Sequence, residues 1–157
     1  MKNIYLLILL SNHLLFGQAF SFTSLQSGQL IKHRILMDDE YIVETQFMSS
    51  SNQFLKTTGG FYQKNGNDIV VNLEFNSNFS NDSLKTISIS DRSGWEKISG
   101  VTLPLQGKWL MSGRVRGKTE RRRDTNQPRK TMKILVDGYF QWIAFNTNTF
   151  SFMGTGG

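Results

Sequence analysis

From Gln29 onward, apolar and polar residues alternate with the period of two that a half-buried β-strand requires. Ile31, His33, Ile35 and Met37 share one side, with Lys32, Arg34 and Leu36 on the other. After the polar turn Asp38-Asp39-Glu40, the residues Tyr41, Val43, Thr45 and Phe47 alternate with Ile42, Glu44 and Gln46. A Ser-rich loop over 48–52 leads into a strand over 54–63, where the pair Gly59-Gly60 predicts a bulge or sharp bend. Asn65-Gly66 predicts a type I′ hairpin. Ile69, Val71, Leu73 and Phe75 then alternate strictly with polar or smaller residues. A polar loop over 76–82, a strand over 84–90, the turn Asp91-Arg92-Ser93-Gly94 and a short strand over 95–98 complete this half.

A boundary falls at 99–106, which holds Gly100 and Pro104. Beyond it the pattern predicts a strand over 108–115, a long basic loop over 116–128 and a strand over 129–136. Asp137-Gly138 is a hairpin turn, and strands over 139–145 and 150–153 flank the turn Asn146-Thr147-Asn148. Trp142 shares a strand face with Phe140 and Ala144, and this face is expected to be the buried one. No window keeps a helical period, and strands recur at the spacing of a meandering sheet or barrel.

Two segments read as copies. With an offset of 99, Ile35-Leu36-x-Asp38 falls on Ile134-Leu135-x-Asp137, Tyr41 on Phe140 and Val43 on Trp142. Thr58-Gly59-Gly60 then falls on Thr155-Gly156-Gly157 after a loop two residues shorter in the second copy. A repeat of this size marks a repeated structural unit. The expected organisation is therefore a signal segment at 1–19, a first module at 20–100 and the start of a second, truncated one at 101–157. The missing neighbours of the last strand are expected either from the first module's open edge or from another chain.

Charge adds one fact. The chain carries +6 overall, but 114–133 holds nine basic residues against Glu120 and Asp124, leaving nine basic and ten acidic residues elsewhere. One segment makes the protein basic. Cysteine is absent, which excludes disulfides, thiol nucleophiles, Cys-ligated zinc and an acylated cysteine. Lys2, the apolar runs 4–10 and 14–16, and Gly17-Gln18-Ala19 have the layout of a secretory signal cleaved near Gly17 or Ala19. Ser11-Asn12-His13 interrupts the apolar run, which disfavours a membrane span of about 20 residues. The expected location is outside the cytoplasm: periplasmic, attached to the outer envelope, or secreted.

Gly107 and Trp109 entering a strand, Lys133-Ile134-Leu135, the strand bearing Phe140, Trp142, Ala144 and Asn146, and Gly154-Thr155-Gly156-Gly157 resemble the lipocalin-like domains of unknown function found in exported bacterial proteins. In that family two modules often stand in tandem behind a signal peptide. The resemblance implies an all-β fold of antiparallel, calycin-like barrel modules and no established activity. It is strong over 107–157 and weak over 29–98, where no Gly-x-Trp strand precedes Gln29.

Several groups are candidates for chemistry. The rings of Trp109, Phe140, Trp142, Phe150 and Phe152 either fill a barrel or line a pocket for a small hydrophobic molecule. Arg121-Arg122-Arg123, at the centre of the basic loop, is either solvated or contacts an anionic glycan, lipid or protein of the envelope. The loop has no interleaved aromatic residues for stacking on bases, so nucleic acid is not an expected partner. His33 is the single histidine outside the signal segment, and a His-centred triad, a multi-His metal site and haem ligation are all disfavoured beside a structural strand role. Asp38-Asp39-Glu40 is read as turn chemistry over a calcium site. The expectation is an exported, non-catalytic binding protein without cofactor, with a small apolar ligand first and an envelope surface second.

Overall fold

The computed structural model describes residues 17–98, 100 and 104–157. Most of the predicted signal segment, 1–16, lies outside them, as do parts of the predicted boundary, 99 and 101–103. Among the described residues the protein is all-β and antiparallel, with one short helix, and none of them forms a helix long and apolar enough to cross a membrane.

Seven strands form the larger sheet. In chain order they are β1 (Gln18–Gln26), β2 (Gln29–Met37), β3 (Tyr41–Met48), β4 (Phe54–Asn65), β5 (Asp68–Asn76), β6 (Thr86–Ile89) and β7 (Glu96–Lys97). They lie in the order β6-β5-β4-β3-β2-β1-β7, with helix α1 (Phe79–Asp82) between β5 and β6. The smaller sheet has the order β13-β12-β11-β8, from β8 (Gly107–Leu110), β11 (Arg129–Val136), β12 (Tyr139–Asn146) and β13 (Ser151–Gly156). A separate hairpin joins β9 (Gly113–Arg116) to β10 (Thr119–Arg122).

Turn chemistry sets the hairpins. Asp137 and Gly138 take φ of 48° and 82° between the paired Val136 and Tyr139, the two positive values of a type I′ turn. Ser27 and Gly28 do the same at 49° and 79° between Gln26 and Gln29. The β4–β5 turn departs from expectation. Asn65 is the last strand residue, paired with Asp68, and Gly66 with φ 61° takes the first central position, which is the type II′ arrangement. The expected bulge at Gly59-Gly60 is present, and a β-carbon at Gly60 would collide with the Asn72 carbonyl. Asp38 closes the β2–β3 turn, its Oδ1 accepting from the N–H groups of Glu40 and Tyr41 at 3.1 and 2.8 Å.

The sheets pack face to face. Ala19, Leu36, Tyr41, Val43 and Phe75 from the large sheet meet Met132, Ile134, Val136, Ile143 and Phe145 from the small one, all buried. Phe75 and Phe145 stand ring to ring at 5.0 Å. The other face of the large sheet has its own core of Ile35, Met37, Ile42, Ile69, Val71 and Leu73, covered by Phe20, Phe22, Ile87, Ile89 and Trp95. Because both faces are covered, 35–37 and 41–43 are buried without interruption. Residues of β1, of β6 and of the approach to β7 converge on this second core, so the sheet coils toward itself. Yet β6 and β7 do not pair with each other, and no closed barrel is formed among the described residues.

Four expectations are corrected. The segment ahead of Gln29 is a full strand, β1, which occupies the edge expected to be open. The expected strand over 108–115 breaks at Met111-Ser112, and the expected basic loop over 116–128 contains β10. The C-terminal segment joins the rest through a sheet face and does not extend the first sheet's edge. On β12 the inward face is Gln141, Ile143 and Phe145, while Trp142 is 37% exposed and Phe140 49%.

The two matched segments each fold as a three-strand meander. Val43 pairs with Gly59 as Trp142 pairs with Gly156, so the second hairpins share their register from there to Thr45↔Thr57 and Ala144↔Gly154, beyond which the bulges fall at different places. The first hairpins do not, since Met37 pairs with Ile42 but Val136 with Tyr139. Tyr41 and Val43 also face the shared core, whereas Phe140 and Trp142 face away from it.

Candidate functional site

The inward turn of Gln141 has a hydrogen-bonding cause. Its Oε1 accepts from Thr45 Oγ1 at 2.9 Å, and its Nε2 donates to Thr57 at 3.3 Å and Thr155 at 2.9 Å. Thr45 and Thr57 belong to the large sheet and Thr155 to the small one, so one amide clamps the two together. Polar groups buried with such partners are tolerated where unpaired ones are not.

Beside this clamp the sheets part into a cleft of about 420 Å³. Arg34, Thr45, Phe47 and Phe54 line it from the large sheet; Phe140, Gln141, Phe152 and the 154–157 backbone line it from the small one. Phe54 and Phe152 stack across the opening at 6.0 Å, nearly parallel. The size lies within the range of small-molecule sites, as does the balance of an apolar lining with a few polar groups. Arg34 holds its guanidinium over the rings of Phe47 and Tyr139, at 5.4 and 5.6 Å, and has no carboxylate partner among the described residues.

Of the five predicted pocket aromatics, Phe140 and Phe152 lie at this cleft. Trp109 and Trp142 sit on the outer face of the small sheet, both cross-strand neighbours of Lys133. The indole of Trp142 lies against the glycine strand, and a β-carbon at Gly156 would stand 2.6 Å from its Nε1. This explains the glycine run: bare backbone leaves room for the ring, while Thr155 between the glycines reaches inward. Phe150 is elsewhere, stacked on Phe79 at 4.9 Å. Phe47, Phe54 and Arg34 were not predicted. Arg34 shares its strand face with the core residue Leu36, which was the available signal.

The arginine triplet is divided by the strand alternation of β10. Arg121 lies directly opposite Arg114, and with Arg116 and Thr119 it forms one face of the hairpin that holds no acid. Arg122 turns the other way and pairs with Glu120 at 2.9 Å. Arg123 donates to the Arg129 carbonyl at 2.7 Å.

His33 is buried, 4% exposed, on the coiled face of the large sheet. Its Nδ1 lies 2.6 Å from Glu44 Oε1, and its Nε2 lies 2.7 Å from Ser24 Oγ. Burial pushes the Glu44 carboxyl up, but hydrogen bonds from His33 and Gln46, with the charge of Lys56, outweigh it and hold the group below its usual range. In the Asp38-Asp39-Glu40 turn, Asp38 is engaged with backbone N–H groups and Glu40 pairs with Lys108 at 3.1 Å.

No protein-family model, curated protein or solved structure matches this chain.

Proposed function

We propose that the protein is an exported binding module of lipocalin-like kind, which holds a small, largely apolar molecule in the cleft between its two sheets. The observation that carries this reading is the cleft itself: about 420 Å³ lined by Phe47, Phe54, Phe140 and Phe152, with the Arg34 guanidinium, which has no carboxylate partner among the described residues, at its side. The rings supply apolar contact area, and Arg34 with Gln141 supplies a polar end to orient the ligand. No bond is made or broken there. The test is titration of the purified protein with N-phenyl-1-naphthylamine, a neutral apolar fluorophore that brightens on leaving water. Binding that weakens at least tenfold in both Phe54→Ala and Phe152→Ala supports the cleft. Equal affinity in folded variants overturns it.

A second reading rests on a separate observation, the acid-free hairpin face of Arg114, Arg116 and Arg121. Like charges directly opposite across a strand pair are destabilising. A multivalent anion such as a sulfated or phosphorylated glycan relieves that repulsion, and Arg is suited to bidentate contact with such groups. In this reading the hairpin contacts an anionic component of the cell envelope.

A further inference from the structure

Three adjacent strands bring Ser24, His33 and Glu44 into one line. Ser24 Oγ is 2.7 Å from His33 Nε2, and His33 Nδ1 is 2.6 Å from Glu44 Oε1. The three sit diagonally on β1, β2 and β3, on the face opposite the cleft, and sequence spacing alone does not reveal such a relation. Glu44 is fixed further by Gln46, whose Nε2 donates to the same carboxylate oxygen at 3.0 Å. The ring of His33 is held by Phe22, stacked on it at 4.1 Å and followed by Trp95 at 6.1 Å from Phe22. Base and orienting group are therefore locked, while Ser24 is only half-buried. A fourth group completes the set: Gln26 Nε2 donates to Ser24 Oγ at 3.2 Å.

We infer that Ser24, His33 and Glu44 form an acyl-transfer site acting on small carboxylic esters, a function beyond the binding role of the cleft. Recognition of such sites rests on geometry and roles, not on fold or on order along the chain. The Glu44 carboxylate accepts a hydrogen bond from Nδ1–H without taking the proton, and this tautomer presents the Nε2 lone pair to Ser24. Ser24 Oγ attacks the ester carbonyl carbon and its proton passes to His33 Nε2. The tetrahedral intermediate collapses, the C–O bond to the alcohol breaks, and the leaving alkoxide takes the proton from His33. Water then attacks the acyl-Ser24 ester, gives a proton to His33 and releases the acid, with the proton returned to Ser24. The Gln26 amide, which donates to Ser24 Oγ in the resting site, helps to orient that hydroxyl. Phe22 and Trp95 offer apolar contact to the acyl group.

The experiment treats the full-length protein with an alkyl fluorophosphonate, which forms an O–P bond at an activated serine with loss of fluoride, and maps the adduct by mass spectrometry. Turnover of p-nitrophenyl acetate is followed in parallel. Expected is one adduct, on Ser24, lost in Ser24→Ala and slowed about 100-fold or more in His33→Gln, the usual scale of general-base assistance. Glu44 acts through His33 as a positioning residue: Glu44→Gln slows labelling at an unchanged melting temperature, and Glu44→Asp recovers part of the rate. If His33→Gln does not fold, the Ser24→Ala comparison alone decides, since that side chain is half-exposed. Absence of the adduct, labelling on other residues only, or ester turnover equal in Ser24→Ala overturns the inference.

Discussion

Replacing Phe145 with alanine tests whether the two sheets form one cooperative unit. The ring is fully buried, as is Phe75 opposite it, and their centroids lie 5.0 Å apart. Removing a buried phenylalanine costs about 3–5 kcal/mol, the cost rising with the cavity left behind. Both walls of this cavity are β-sheets whose strands are pinned by ladder hydrogen bonds, so little collapse is available and about 4 kcal/mol is expected. With a urea slope of about 2 kcal/mol per molar, the midpoint falls by about 2 M. The assay is equilibrium urea unfolding followed by far-UV circular dichroism, repeated for Phe75→Ala and the double variant. The pair should couple by about 0.5–1.5 kcal/mol beyond additivity. One transition is expected, because Met132, Ile134, Val136, Ile143 and Phe145 all pack in the core shared with the large sheet. A loss below about 1 kcal/mol, or two separate transitions of which only one moves, refutes the shared core.

Gln141→Leu removes the inter-sheet amide while keeping bulk, and should destabilise by about 1–2 kcal/mol, three hydrogen bonds at about 1 kcal/mol each offset in part by apolar burial; a more stable variant in thermal unfolding contradicts the clamp. Arg114→Ser with Arg121→Ser should reduce retention on a heparin column more than Arg122→Ser with Arg123→Ser, without loss of melting temperature, since exposed charges contribute little to stability; equal retention of the two variants removes the arginine face as an anion site. Asp82, although burial raises it, is lowered to about 2 by hydrogen bonds from Lys56, the Leu84 N–H and Asn76 and by the Lys56 charge. The stability this carries is complete above the ordinary carboxylate range and lost as pH falls from about 4 toward about 2; Asp82→Asn should flatten that part of an acid titration of stability. Burial, then the Glu74 carboxylate and its hydrogen bond, push Tyr41 well above its usual value. Its contribution is complete below about pH 10 and lost above it, and an alkaline unfolding curve unchanged in Tyr41→Phe speaks against this.

Local alternation and turn residues made most strands legible. β2, β3, β5, β11 and β12 stand close to where the period of two places them, and Asp137-Gly138 turns as its letters require. What failed was decided by distant partners. On β12 both faces carry large apolar residues, so the pattern favours burying the tryptophan; the opposite face wins because Gln141 finds Thr45 and Thr57 on the other sheet. The strand β1 was hidden by the signal-like stretch that runs into it, although Phe20 and Phe22 alternate and Ser27-Gly28 is a turn pair. The division of Arg121 from Arg122 follows from a strand inside a segment whose charge suggested a loop. His33 was correctly placed on a strand beside polar neighbours, but Ser24 and Glu44 are brought to it by diagonal register, which requires the pairing of three strands to be known.

The tryptophans are divided between the two sheets. Trp95 packs on Phe20 and Phe22 at the coiled face of the large sheet. Trp109 and Trp142 lie on the outer surface of the small one, half open to solvent. Intrinsic fluorescence is thereby sorted by location, with one partly buried emitter packed on the large sheet and two more exposed emitters on the small one. With Trp95→Phe the remaining light reports on the small sheet alone, and with Trp109→Phe and Trp142→Phe together it reports on the large one. Folding of each half, and ligand entry between them, can thus be timed without any added label.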